Sequence, residues 1–151
     1  MMTVYQQQYM QAAIEEAQKA VVADEVPIGA VLVYKDEIIA RAHNLPLTLT
    51  DPTAHAEILV LREGARVLGN YRLNDCALYV TLEPCPMCLG AMLYARIGYL
   101  YFGAYDKKLG AVQSVYQLLE APEINHSIYA EGGLCEQPCR EILQNFFKKK
   151  R

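Results

Sequence analysis

A chain of 151 residues with 53% apolar and 21% charged residues can bury a substantial core as one domain, residues 1–151, and no internal repeat or low-complexity linker divides it. Fourteen basic against seventeen acidic residues give a net charge of −3, so phosphate contacts would need a local concentration of charge rather than a generally basic surface. The start, MMTVYQQQYMQAA, lacks the basic, apolar and small-residue succession of an export signal, no apolar run reaches bilayer length, and five cysteines suit a reducing compartment; the expectation is a cytoplasmic protein that does not enter membranes.

Tyr5 to Val22 has the pattern of an amphipathic helix, which DEVP then stops. Ile28 to Tyr34 and Glu37 to Ala42 are β-rich runs joined at Lys35 and Asp36, which predicts a hairpin. A loop from Asn44 to Thr53 leads into DPTAHAEILVLREGARVLG, a predicted helix with Asp51 or Thr53 as its cap and Ile58, Leu59, Leu61, Ala65 and Leu68 on one side. The apolar run ALYVTL predicts a strand, PCPMCLGAMLYARI a helix after it, and IGYLYFGA another strand. Strands alternating with helices predict a parallel segment in a sheet covered on both faces. The last third is irregular until a closing helix from about Leu134 to Phe147.

Two clusters carry chemistry. His55 and Glu57 fall in TAHAEI, and Cys85 and Cys88 in TLEPCPMCLGA. Zinc prefers imidazole and thiolate donors, and a catalytic site uses three of them and keeps a fourth position for water. His55, Cys85 and Cys88 supply the three. A carboxylate beside that water can take its proton and pass it to a substrate, the role open to Glu57. Both sulfurs would sit near a helix start, where the backbone dipole favours thiolate. HxE followed by PCxxC is the combined signature of zinc base deaminases.

Each residue alone has a plainer reading: a surface histidine, a solvated first-turn acid, and structural cysteines. Cys85 and Cys88 could instead join Cys135 and Cys139 of CEQPC in a four-cysteine structural zinc module, a non-enzymatic alternative. That module leaves His55 and Glu57 unexplained. The i, i+4 spacing of Cys135 and Cys139 fits partial burial on the closing helix, and Cys76 reads as a small apolar residue.

DEVPIGAVLV, DPTAHAEI, NYRL, LYVTLEPCPMCLGAM, ARIGYLYFGAYDKKLGA, INH and FFKKKR, in this order and spacing, resemble the bacterial tRNA adenosine deaminase family, of cytidine deaminase-like fold. The resemblance covers almost the whole chain. It implies an α/β protein of three layers, α/β/α, on a mixed five-stranded sheet, a homodimer, one Zn2+ per subunit, and conversion of the wobble adenosine of a tRNA anticodon stem-loop to inosine. By the same resemblance His55, Cys85 and Cys88 are the metal ligands, Glu57 is the proton shuttle and Asn44 contacts the base. The Ala56 amide and the Pro84 carbonyl orient the base and its departing amine. The HAE and PCPMC pieces are shared with deaminases of guanine, cytidine and deoxycytidylate, so a free base or nucleotide is the competing substrate class.

KKKR supplies +4, leaving −7 on the rest of the chain, and Phe146 and Phe147 precede it. Rings that stack on unpaired bases beside cations that neutralise phosphates can hold a single-stranded loop, which makes Phe147 and Lys148 candidate RNA contacts, with Phe146 expected in the core. Asp106, Lys107 and Lys108 are by resemblance a substrate-facing loop. Leu45, Tyr105 and Leu109 depart from the family's usual residues near that surface. His126, in INH, is expected to be a hydrogen-bonded structural histidine.

Overall fold

The computed structural model describes residues 4–150. Five strands form one mixed sheet in the order β2-β1-β3-β4-β5. β1 (Gly29–Tyr34) pairs antiparallel with β2 (Glu37–His43) and with β3 (Cys76–Leu82), whereas β3 runs parallel to β4 (Tyr99–Ala104), which runs parallel to β5 (Tyr129–Glu131). Among the described residues five α-helices accompany the sheet, α1 (Val4–Val22), a single turn α2 (Pro46–Leu49), α3 (Ala56–Leu68), α4 (Pro86–Ala95) and α5 (Glu136–Lys149), with one 3-10 turn at Leu118–Glu120.

Alternation along the central strands sorts side chains into two apolar layers, because successive Cβ atoms point to opposite faces. Ala30 and Leu32 of β1, Leu78 and Val80 of β3, and Leu100 and Phe102 of β4 meet α3 and α4 through Val60, Leu61, Leu89 and Met92. Val31, Val33, Tyr79 and Tyr101 point the other way and meet Met10, Ala13 and Ile14 of α1 and Cys139 of α5. Burial on both faces explains why these strands read as continuous apolar runs. The sandwich of helices on both sides of a mixed five-stranded sheet is the expected architecture.

Two glycines permit the closeness of the second layer. A Cβ on Gly29 would lie 2.0 Å from the Ala13 carbonyl oxygen, and one on Gly103 would lie 2.4 Å from Cys139 Sγ. Cys139 is therefore a packing residue of α5 against β4. The hairpin turns at Lys35 and Asp36, both at positive φ, a conformation that matches the right-handed twist of the strands it joins. The Tyr9 hydroxyl donates to the Asp36 carbonyl at 2.9 Å and ties the turn to α1.

The structure corrects the start of the histidine helix. Asp51 and Thr53 do not cap it: Asp51 Oδ1 accepts from the Thr53 amide at 2.9 Å and its hydroxyl at 2.8 Å, closing a local turn, and α3 begins only at Ala56. The hydrogen-bonding capacity of Asp51 is used two residues on, so it cannot serve a helix five residues on. His126 Nε2 bonds the Ile97 carbonyl at 2.8 Å, the structural role expected of it.

Candidate active site

The site lies where the carboxyl end of β3 meets the N-termini of α3 and α4, the end of an open α/β sheet at which ligands ordinarily bind. His55 is the residue before α3 and Cys85 the residue before α4; both are extended, with ψ of 149° and 171°, and neither side chain caps its helix. Their carbonyls carry the first helical bonds instead, accepting from Leu59 and Leu89 at 3.1 and 3.0 Å. The imidazole and the thiol are thereby left to face one another. Pro86 supplies the first residue of α4, where a missing N–H costs nothing, and Cys88 follows within the first turn.

His55 Nδ1 stands 3.4 Å from Cys88 Sγ and 3.7 Å from Cys85 Sγ, and the three donor atoms all lie within 4.8 Å of one another. Zn–N of about 2.0–2.1 Å and Zn–S of about 2.3 Å at a tetrahedral angle separate nitrogen from sulfur by about 3.6 Å. The donor set and its spacing fit zinc. Among the described residues this is the one group of three or more metal-type side chains close enough to share an ion. The four-cysteine module is not formed: all five cysteines are free, and Cys139 packs in the opposite layer from Cys88.

Charge in the cluster is unevenly held. A hydrogen bond from Cys88, outweighing burial and helped by His55, holds the Cys85 thiol down to about 4. Cys88 is raised far above a thiol's usual range because it bonds to Cys85 and is buried. His55 is raised by its bond to Cys85. Two sulfurs this close cannot both be anionic unless a cation is shared between them, which is what a divalent metal supplies. Glu57, 4% exposed, is the second residue of α3; burial pushes its carboxyl up to about 7. Its Oε1 has no hydrogen-bond partner among the described residues. A buried carboxylate oxygen left unpartnered at a helix start is costly unless a ligand completes it.

Residues 4–151 match the family model of the MafB19-like deaminases. The chain belongs to that family. A Bacillus subtilis relative named tRNA-specific adenosine deaminase is 48% identical over 143 residues, spanning 95% of this chain and 89% of its own. A solved structure described as "Biochemical and Structural Studies of A-to-I Editing by tRNA:A34 Deaminases at the Wobble Position of Transfer RNA" superposes with a TM-score of 0.88 at 48% identity, covering 90% of this chain and 99% of that one. A guanine deaminase structure from Bacillus subtilis, 35% identical, superposes at 0.65 over 85% of this chain and 83% of its own.

Around the metal-type cluster of this deaminase, the other expected residues divide into three groups. Asn44, 5% exposed, joins the site: its Oδ1 accepts from the Ala56 amide at 2.8 Å, which ties the end of β2 to the start of α3. The single Ala56 proton is thus committed to Asn44. The Pro84 carbonyl accepts from the Ala111 amide at 2.8 Å and holds a loop beside Cys85. Asp106 opens that loop, its Oδ1 accepting from the Lys108 amide at 2.9 Å, while Lys108 itself is exposed. Phe147 and Lys148 stand apart from the cluster. They line a groove of about 460 Å³ with Leu82, Tyr105 and Arg140. Phe146 is buried, as expected, and Phe147 is half-exposed. Of the basic tail, Lys150 Nζ pairs with Asp24 at 2.5 Å, and Arg151 lies outside the described residues.

Sequence reasoning missed three buried acids, Glu16 on α1 and two that shape loops near the site. Glu25, 1% exposed, accepts from the Leu47 and Thr48 amides and the Thr48 hydroxyl, fixing α2 just after Asn44. Burial pushes Glu25 up, but those bonds outweigh it and hold the group below the usual carboxylate range. Glu83, 2% exposed, does the same for the loop beyond β4. The signal available was an acid embedded in an apolar stretch, VADEVPIG and YVTLEPCP, where a charge survives only if it is fully bonded.

Proposed function

We propose that residues 1–151 form a single zinc-dependent deaminase domain that hydrolyses the wobble adenosine of a tRNA anticodon to inosine. The observation that carries it is the buried Glu57 carboxylate, one oxygen unpartnered, beside three zinc-type donors at tetrahedral separation. The relatives named tRNA-specific adenosine deaminase and the A34 deaminase structure support a tRNA adenosine as the substrate.

His55, Cys85 and Cys88 would hold one zinc per subunit, and the ion would supply a water that ionises near neutral pH. Glu57 moves the protons. Its carboxylate takes one at Oε1 and gives it to N1 of the adenine ring, which makes C6 electrophilic; a second goes to the exocyclic nitrogen, which leaves as ammonia while the oxygen of water remains on C6. Burial, which in the metal-free protein pushes this carboxyl up to about 7, favours handing the proton on to the base over keeping the charge. The bond from Ala56 fixes the Asn44 amide so that its nitrogen is the side left to donate to an acceptor on the purine edge. Pro84, with one lone pair taken by Ala111, keeps a second for the departing amine.

Asp106, Lys108, Phe147 and Lys148 are read as contacts to the stem-loop, Phe147 stacking on a base and the lysines meeting phosphate. Replacing both Lys148 and Lys149 by alanine is expected to make the plot of log affinity against log salt shallower by roughly 1.5, at about 0.7–0.9 per phosphate contact. Titration of a labelled stem-loop at several salt concentrations measures it, and an unchanged slope takes the tail out of the interface. The homodimer belongs to the same reading, with exposed Tyr71 and Tyr94, which share a groove with Leu93 and Arg96, as the surface offered to a second copy. So does a cytoplasmic location, and among the described residues no helix is long and apolar enough to cross a membrane.

The deciding assay incubates the zinc-loaded protein with an anticodon stem-loop bearing wobble adenosine and, in parallel, with guanine, cytidine and deoxycytidylate. Inosine in the stem-loop with no ammonia from the small substrates is the expected result. Ammonia from guanine alone moves the protein to the free-base class that the guanine deaminase likeness keeps open.

A further inference from the structure

A single buried carboxylate shapes the loop that follows β4. Glu83 Oε2 accepts from the backbone amides of Val112, Gln113 and Ser114 at 3.2, 2.8 and 3.0 Å, and Oε1 accepts from the Asp106 amide at 3.0 Å and from the Ser114 hydroxyl. Its own amide donates to the Ala104 carbonyl at 2.8 Å, at the end of β4. The adjoining Pro84 carbonyl takes the Ala111 amide. Gly110 is pressed against the carboxyl group: a Cβ there would lie 2.4 Å from Glu83 Oε1. Ala111 anchors the loop in the core, and the backbone on either side of it is wrapped around an anion. Its outward residues, Lys107 and Lys108, are exposed cations.

We propose that Glu83 is a positioning residue for the nucleic-acid substrate: it fixes the 106–114 loop against the strand end that leads into Cys85, and so sets where Lys107 and Lys108 meet phosphate. This rests on the reading of a tRNA stem-loop as substrate. Glu83 touches no reacting atom. The charge is needed because two carboxylate oxygens only accept, whereas a glutamine turns an NH2 group toward one set of those donors and leaves them unpaired. The loop then loosens while the donors for zinc stay in place.

The test is Glu83→Gln in the zinc-loaded enzyme, read three ways on the wobble-adenosine stem-loop. The expected result is a KM raised about tenfold or more, a kcat within about threefold of the parent, one zinc per chain, and lost hydrogen-exchange protection at Gln113 and Ser114. Loss of kcat with unchanged KM overturns the proposal, since Glu83 would then act through Cys85. So does lost protection with unchanged KM. Ser114→Ala, which removes one of the five bonds, should raise KM in the same direction by a few-fold, and decides the matter if Glu83→Gln does not fold; no change in either constant with Ser114→Ala overturns it. A parent enzyme that releases no ammonia from the stem-loop fails the functional reading instead. Stem-loop affinity, measured by titration on parent and variant, still judges the proposal in that case: a Kd weakened about tenfold supports it and an unchanged Kd rejects it.

Discussion

Glu57→Gln is expected to lower turnover by at least about a thousandfold while the protein still carries one zinc per chain. The size follows from the work assigned to one side chain: general acid–base transfer is worth about 10²–10⁴ per step, and Glu57 serves two protons in succession. A loss of three decades is about 4 kcal/mol of barrier. Glutamine keeps the shape of the side chain and none of its acid–base capacity, so zinc retention and fold are controls within the same variant. Stability gives a second readout. Burial raises the Glu57 carboxyl in the folded state above its value in the unfolded chain, so between about pH 4.5 and 7 the folded metal-free protein binds more protons and loses stability as pH rises. Glutamine removes that dependence. The metal-free variant should gain on the metal-free parent as pH rises through this window, measured by denaturant melts at several pH values. Near-normal turnover would refute the shuttle role outright.

The clusters that carry this chemistry were legible because their spacing is local. HAE and PCPMC each place their donors within one helix start, and two helix starts converge wherever a strand separates two helices on one face of a sheet. The hairpin and the central strands were legible for a similar reason, through β-rich runs bounded by turn residues. What was not legible depends on partners far away in the chain. Asn44 meets the Ala56 amide 12 residues on, and Glu83 meets amides up to 31 residues on, and backbone donors leave no mark on side-chain identity. α2 and β5, of four and three residues, are too short for a periodicity to build. Asp51 misled because an acid before an apolar run serves a turn as readily as a helix. The tail shows the limit of counting charge: KKKR reads as four cations, yet Lys150 is paired with Asp24, 126 residues away.

Removing Cys88 tests the metal itself. Cys88→Ala leaves His55 and Cys85, two donors where the site presents three, and dialysed protein is expected to fall from one zinc per chain to less than about a tenth, with turnover lost in proportion. The soft donors also set which metal restores activity to parent enzyme stripped by a chelator. Zinc should do so, whereas magnesium and calcium should not, because those ions require oxygen ligands that the cluster lacks. Fold and chemistry separate cleanly in this experiment. The layer against α1 and α5 does not involve the ion, and the layer against α3 and α4 meets it only through Cys88 and the adjoining Cys85, so the stripped protein should keep its far-UV signal and lose only activity. Thiol titration supplies the structural check: chelation should expose Cys85 to a thiol reagent, since its sulfur is half-buried and held as thiolate down to about 4, whereas Cys76 and Cys139, buried and raised by that burial, should stay silent. Full turnover in Cys88→Ala, or the same thiol count with and without chelator, would mean that these side chains do not share an ion.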